Sequence, residues 1–171
     1  MREGANDRAR CCVMRCVLSD SRLPIPDSRF PTPEFRVPPP IPVPPMLDSV
    51  LSHLERLVAF DTRNPPRRID VGGIFDYLRA QLSGFAIEVT DHGAGAVSLW
   101  AVRGTPRRVF NVHLDTVPDS PGWTGDPFAL RVDGERATGL GACDIKGAAA
   151  CLLAAAQGTL GDAALLFSSD E

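Results

Sequence analysis

The stretch VFNVHLDTVPDS, residues 109–120, decides how the middle of this chain folds. It starts as an apolar run and ends with His113 and Asp115, two residues apart, shortly before a proline. Such a run predicts a buried strand, which we place at residues 107–115. Because residues two apart on a strand point to the same face, His113 and Asp115 can act together.

Two later stretches also place carboxylates at the ends of elements. In GLGACDIKG, residues 139–147, Asp144 comes just before an Ala-rich and Leu-rich helix. In DAALLFSSDE, residues 162–171, Asp170 and Glu171 follow a short apolar strand. In open α/β sheets, ligands bind beyond the carboxyl ends of the strands. The sequence therefore predicts that the three stretches meet at one rim of the sheet.

Hydrophobic periodicity places the remaining elements. Apolar residues recur at helical spacing in two segments, and DTRNPP ends the first, since the residue before a proline is pushed out of the helical region. The predicted helices cover residues 46–60, 72–84 and 144–158; the predicted strands cover residues 85–91, 96–104, 107–115 and 162–171, with a small hairpin around Asp133 and Gly134. We see no internal repeat. This order predicts an α/β domain with helices packed on a largely buried sheet.

Composition excludes several classes of protein. The chain has 171 residues, is 44% hydrophobic and carries a net charge of −3, which argues against nucleic acid or an anionic membrane as the main partner. Its longest small or apolar run, residues 147–156, is too short to span a bilayer. We expect no secretory signal. Five cysteines without paired spacing argue against a disulfide framework, so a cytoplasmic location is the default expectation.

The first 45 residues differ from the rest of the chain. They contain ten of the sixteen prolines and end in RVPPPIPVPP. Because proline lacks the N–H that helices and ladders need, we predict a tail, residues 1–45, that is extended or disordered. A ligand for an SH3-like partner is the functional alternative. A second alternative is that translation begins at Met46.

Residues of the candidate site also have plainer interpretations when taken singly. A lone histidine at a strand end is more often structural or exposed. GLGACD resembles a dinucleotide-binding loop, but Asp144 stands where the third glycine belongs and would repel a pyrophosphate. Cys143 is interpreted as a small buried thiol rather than a nucleophile. Lys146 is the single lysine among 18 basic residues, and its plain interpretation is a solvated lysine at the start of a helix.

Together, HLDTVP, GLGACDIKGAAA and the terminal SSDE resemble the M20 family of metallohydrolases, and the acetylornithine and acetylcitrulline deacetylases above all. LVAFDTRNPPR and GGIFDYLRAQL add to the resemblance, which covers residues 46–171. It implies the N-terminal part of a zinc-exopeptidase-like catalytic domain with helices packed on a mixed central sheet. The smaller lid or dimerisation domain of that family is not represented, and the intact protein is compatible with a homodimer.

The resemblance also implies a site for two divalent metal ions, zinc or cobalt. His113 corresponds to a ligand of one ion and Asp144 to the carboxylate that bridges both. Asp115 corresponds to the carboxylate that orients His113, and Glu171 to the general base that takes a proton from water. The implied substrate is an N-acetylated amino acid, N-acetylornithine or N-acetylcitrulline, in arginine biosynthesis.

The sequence departs from the family pattern where it stops. The second Glu that follows Glu171 in relatives, and their later Glu and His ligands, are not represented, so we expect residues 1–171 alone to be inactive. Ala148 replaces a glycine that many relatives have, which we regard as minor. Two alternatives remain: a succinyl-diaminopimelate desuccinylase or dipeptidase of the same family, and a non-catalytic remnant or interaction protein.

Overall fold

The computed structural model describes residues 46–171 and has the mixed α/β architecture predicted from the sequence. The prediction of an extended tail falls on residues 1–45, which lie outside the described residues. The elements are α1 (Met46–Val58), α2 (Ile74–Gln81), β1 (Ala86–Gly93), β2 (Ala96–Arg103), β3 (Val109–His113), β4 (Arg131–Asp133), β5 (Arg136–Thr138), α3 (Gly147–Gly158) and β6 (Ala163–Ser168).

Four of the strands form one mixed sheet in the order β1-β2-β6-β3. The pairs β1–β2 and β2–β6 are antiparallel, whereas β3 and β6 are parallel, with His113 in register with Ser168. Parallel strands end at the same edge of a sheet, so the residues after β3 and after β6 are neighbours. The short strands β4 and β5 form a separate hairpin around Asp133 and Gly134, as predicted.

The apolar faces of the helices and the sheet make one core. Its buried members come from the three helices and from β2, β3, β6 and the loops, and they include Leu57, Phe75, Leu99, Leu153 and Phe167. Residues of β1 are only partly buried against this core. Most buried positions of α3 are alanine or glycine, and small side chains allow a helix to approach its neighbours closely. Burying apolar surface contributes roughly 25 cal/mol per Å² to the free energy of folding. The strands are anchored in this core, so their ends are held in fixed positions.

Burial of the sheet is less complete than the sequence predicted. Val97, Leu99 and Ala101 of β2 are buried, as are three residues of β6. Within residues 46–171, however, β1 and β3 are the outer strands of the sheet, and Val109 and Phe110 of β3 are exposed. An apolar run on an outer strand cannot be distinguished from a central strand by periodicity alone. In the part of the chain that the structure describes, no helix is long and apolar enough to cross a membrane.

Candidate active site

His113 and Asp115 form the first part of the site at the end of β3. The strand ends at His113, but the backbone continues alongside β6 because the N–H of Leu114 donates to the carbonyl of Ser168 at 2.8 Å. Asp115 therefore lies two residues past the end of β3, although the predicted strand included it. It still faces His113, with 3.1 Å between His113 Nδ1 and Asp115 Oδ1. Their side chains are only 17% and 13% exposed, which restricts both to this geometry.

Asp144 reaches the same place from an irregular turn that precedes α3. Residues Ala142–Lys146 form this turn, and Asp144 has an extended backbone, with φ −119° and ψ 92°. This interruption projects the carboxylate toward the sheet edge, where Asp144 Oδ1 lies 3.3 Å from His113 Nε2. The side chain of Asp144 is 81% exposed, so its second oxygen is accessible from solvent.

Two residues hold this turn against the rest of the domain. Gly141 has φ +78°, and a Cβ there would lie 2.5 Å from Thr116 Cγ2, so a larger residue would be strained. The Lys146 side chain is fully buried, and its Nζ donates a 2.8 Å hydrogen bond to the carbonyl of Phe60. The interpretation of Lys146 as a solvated lysine is therefore wrong: burial lowers the pKa of its ammonium to about 8, and the Asp61 carboxylate partly offsets this.

Glu171 lines the same cleft but stands apart from the other three residues. An open cleft of about 330 Å³ is lined by His113, Asp115, Asp144 and Glu171. Within residues 46–171, no hydrogen bond or ion pair joins Glu171 to the other three. The four residues singled out from the sequence thus surround one space. Cys143 also lines it and is half-buried rather than buried as predicted.

Sequence reasoning missed the contribution of the loop between α1 and α2. Asn64 lines the cleft and donates hydrogen bonds to Asp115 and to Asp170. Arg67 forms an ion pair with Asp170 and donates to the carbonyl of Ala94 at 2.8 Å. The signal in the sequence was the polar stretch DTRNPPR directly after the first helix, which was interpreted mainly as a helix end.

The donor set of the cleft fits part of a metal site. In residues 46–171, no cluster of three or more His, Cys, Asp or Glu side chains could hold a metal ion. His113 Nε2 and Asp144 Oδ1 are nevertheless 3.3 Å apart, and two ligand atoms about 2.0–2.2 Å from one ion in tetrahedral arrangement are separated by roughly 3.3–3.6 Å. Asp115 fixes the other ring nitrogen, the usual arrangement for a histidine that binds a metal.

The fold and the cleft together define a class of hydrolase. The domain has an α/β fold with a mixed sheet. Beyond the ends of its two parallel strands lies the imidazole of His113, which is held by Asp115 and faces Asp144. Residues 109–171 match peptidase family M20/M25/M40, and these residues include all four members of the site. These residues therefore form part of a domain of this hydrolase family. Enzymes of the family generally depend on two metal ions.

Individual relatives agree with this assignment. The chain is 69% identical over 127 residues to N-acetyl-L-citrulline deacetylase of Xanthomonas campestris pv. campestris, covering 74% of this chain and 35% of the relative. It is 43% identical over 112 residues to succinyl-diaminopimelate desuccinylase of Sphingopyxis alaskensis, covering 58% and 30%. The crystal structure of human carnosine dipeptidase 1 has the same fold, with a TM-score of 0.63, 20% identity and coverage of 72% and 32%. The chain spans about a third of the length of the curated relatives it matches.

Proposed function

We propose that this protein is a metal-dependent amide hydrolase that removes the acetyl group from N-acetylcitrulline or N-acetylornithine. The observation that carries the proposal is the position of His113 between Asp115 and Asp144 on the wall of the cleft. The 69% identity to an N-acetyl-L-citrulline deacetylase supports the choice of substrate. With that substrate the reaction belongs to arginine biosynthesis, and we place it in the cytoplasm.

Each residue has a separate task in this proposal. His113 Nε2 and Asp144 would supply ligand atoms for two divalent ions, zinc or cobalt. Asp115 accepts the Nδ1 proton of His113 and so keeps the Nε2 lone pair directed at the ligand position. When bound, the ions would polarise the amide carbonyl and make water easier to deprotonate. Glu171, on the wall of the same cleft, takes the proton from the attacking water as general base.

Desuccinylase activity is the second candidate, and the 43% identity to succinyl-diaminopimelate desuccinylase favours it. The two reactions share the amide hydrolysis step but differ in the acyl group, since succinate carries a second carboxylate. Within the described residues, the cleft is lined by Asp115, Asp144 and Glu171, with no Arg or Lys among its lining residues. Since these carboxylates would serve the two metal ions, we rank the acetyl group first on identity, which is 69% to the deacetylase and 43% to the desuccinylase.

A hybrid enzyme tests the proposal at full length. Residues 46–171 of this chain replace the aligned segment of the Xanthomonas campestris enzyme, which supplies the remaining length. Acetate release is measured from N-acetyl-L-citrulline and N-acetyl-L-ornithine, and succinate release from N-succinyl-diaminopimelate. We expect acetate release and little succinate release. A folded, metal-loaded hybrid that hydrolyses none of the acetylated substrates would contradict the proposal.

The matched control compares two glutamates of the same segment. Glu171 lines the cleft, whereas Glu88 lies exposed on the outer strand β1. We expect Glu171→Ala to abolish most of the turnover of the hybrid and Glu88→Ala to leave it unchanged. Equal losses in the two variants would indicate general damage to the domain rather than removal of a base.

A further inference from the structure

The loop after α1 is tied by its backbone to the segment that carries Asp115. The N–H of Asn64 donates to the carbonyl of Thr116 at 2.8 Å, and the N–H of Thr116 donates to the carbonyl of Thr62 at 2.9 Å. Arg63 and Thr116 form an isolated parallel bridge. These bonds place Asn64 next to the strand end, although 51 residues separate it from Asp115. Its position therefore depends on tertiary structure and not on the local turn alone.

The side-chain amide of Asn64 joins two carboxylates. Its Nδ2 atom lies 3.3 Å from Asp115 Oδ2 and 2.8 Å from Asp170 Oδ1. An amide nitrogen carries two hydrogens, so it can donate one to each carboxylate. If the side-chain amide were turned by 180°, its Oδ1 atom would face two carboxylate oxygens, and acceptors repel each other. The amide is therefore oriented with Nδ2 toward the carboxylates. Without this donor, the two negative groups would face each other and repel.

The second oxygen of each carboxylate is engaged elsewhere. Asp115 uses Oδ1 for His113 Nδ1, at 3.1 Å, and Asp170 uses Oδ2 for its ion pair with Arg67. Asp115 is thus held from one side by the residue it orients and from the other by Asn64. Asp170 immediately precedes Glu171 in the chain. The amide of Asn64 therefore connects Asp115, which orients His113, with Asp170, the neighbour of the predicted general base.

We propose that Asn64 is a positioning residue that fixes Asp115 and thereby selects the tautomer of His113. With Asp115 held, His113 carries its proton on Nδ1 and turns the lone pair of Nε2 toward Asp144. The same amide holds Asp170 and so restricts where Glu171 stands. This role rests on the proposed function, because it concerns the same site.

The tautomer of His113 is measured on the metal-free chain, without substrate. Long-range ¹H–¹⁵N spectra distinguish Nδ1–H from Nε2–H imidazole, and at about pH 9 ordinary imidazoles are neutral. Since the chain has only three histidines, each signal can be assigned with a His→Gln variant. We expect Nδ1–H as the main form of His113. In Asn64→Ala, the ratio of Nδ1–H to Nε2–H should fall roughly fivefold, the size expected when one charge-assisted hydrogen bond is weakened.

Three comparisons make the result specific. Asn111→Ala removes the same amide from an exposed position of β3, and should leave the ratio unchanged. Asp115→Asn should change the tautomer ratio of His113 the most and serves as the upper reference, because an amide has one acceptor oxygen and a carboxylate has two. Asn64→Leu, which is close in size and uncharged but has no donor, should shift the ratio as far as Asn64→Ala. His53 and His92 report on the rest of the domain and should not change.

The inference is overturned if folded Asn64→Ala and Asn64→Leu both keep the wild-type tautomer ratio at His113. It is also overturned if the signals of His53 and His92 change as much as that of His113, because Asn64 would then support the whole domain and not the histidine. Since no metal, substrate or turnover enters the measurement, its failure is distinguishable from a failure of the proposed function, which the hybrid enzyme tests.

Discussion

His113 Nε2 lies 3.3 Å from Asp144 Oδ1, although the two residues belong to different elements. His113 is the last residue of β3, and Asp144 lies in the irregular turn before α3. The Nδ1 atom of the same ring is held by Asp115, so rotation of the imidazole is restricted. The exposed carboxylate of Asp144 is therefore the more adjustable partner of the two.

Replacing the predicted base should affect the reaction rate and not metal binding. Glu171 lines the cleft but contacts none of the other site residues through a hydrogen bond or ion pair within residues 46–171. In the hybrid enzyme, Glu171→Ala should lower kcat by roughly 10²–10⁴-fold with little change in KM, since positioned general bases contribute about that much. Steady-state kinetics and elemental analysis of bound metal test this together. Loss of metal in this variant would assign Glu171 a different role.

Replacing Asp144 should remove metal and activity together. Its oxygen lies at ligand spacing from His113 Nε2, so Asp144→Ala would leave the imidazole without its carboxylate partner. We expect the hybrid enzyme to lose most bound metal after dialysis, with turnover falling in proportion. Asp133→Ala, at an exposed position of the β4–β5 hairpin, is the matched control and should retain both. A variant at position 144 that keeps its full metal content would contradict the assigned role.

Asp115→Asn should have an intermediate effect. Asp115 contacts His113 through Nδ1 and lies behind the ligand atom, so the variant keeps both predicted ligands. Partners of this kind typically change metal affinity or activity by about 10–100-fold. We expect a weaker metal affinity of that size in the hybrid enzyme, measured by competition with a chelating dye. A loss as large as that of Asp144→Ala would mean that Asp115 itself binds metal.

The elements and their order could be predicted because the signals are local. The helix α1 is predicted by the spacing of its apolar residues, and α3 by its helix-forming residues. Neither prediction needs information on contacts that are distant in sequence. His113, Asp144 and Glu171 were also predictable as a group, since each stands where an element begins or ends. The parallel pairing of β3 with β6 brings His113 and Glu171 to one edge of the sheet, and the sequence did not predict which strands pair.

The contacts that support the site could not be predicted in the same way. Asn64 reaches Asp115 only because the loop after α1 runs beside Thr116. The buried Lys146 likewise donates a hydrogen bond to the carbonyl of Phe60, which lies 86 residues away. Side-chain periodicity carries no information on such pairs. The prediction of a solvated lysine was wrong for this reason, because a polar residue at the start of a helix is usually exposed.

Removing residues 1–45 should not weaken the domain. Their proline content predicts that they contribute no helix or ladder hydrogen bonds, whereas α1 begins at Met46. We expect a chain that begins at Met46 to unfold at the same temperature as the full chain. Limited trypsin digestion of the full chain should cleave first between Arg2 and Arg36. A clearly lower unfolding temperature of the shortened chain, or resistance of the tail to trypsin, would contradict the prediction.

Lys146 should make the stability of the chain depend on alkaline pH. Burial lowers the pKa of its ammonium to about 8 in the folded state, from the ordinary value of 10.5. Between these values the unfolded chain binds more protons than the folded chain, so the free energy of unfolding should rise as pH increases through this window. A shift of this size corresponds to a change on the order of 3 kcal/mol.

Comparison with Lys146→Met isolates this contribution from other groups that titrate at high pH. Methionine is apolar, has similar length and does not titrate, so the variant retains most of the buried packing but lacks the hydrogen bond to the carbonyl of Phe60. Urea unfolding of both chains at several pH values between 7 and 10.5 gives the difference in their free energies of unfolding. We expect this difference to move in favour of the wild type as pH rises. A difference that stays constant over the whole range would show that the pKa of Lys146 is not lowered by burial.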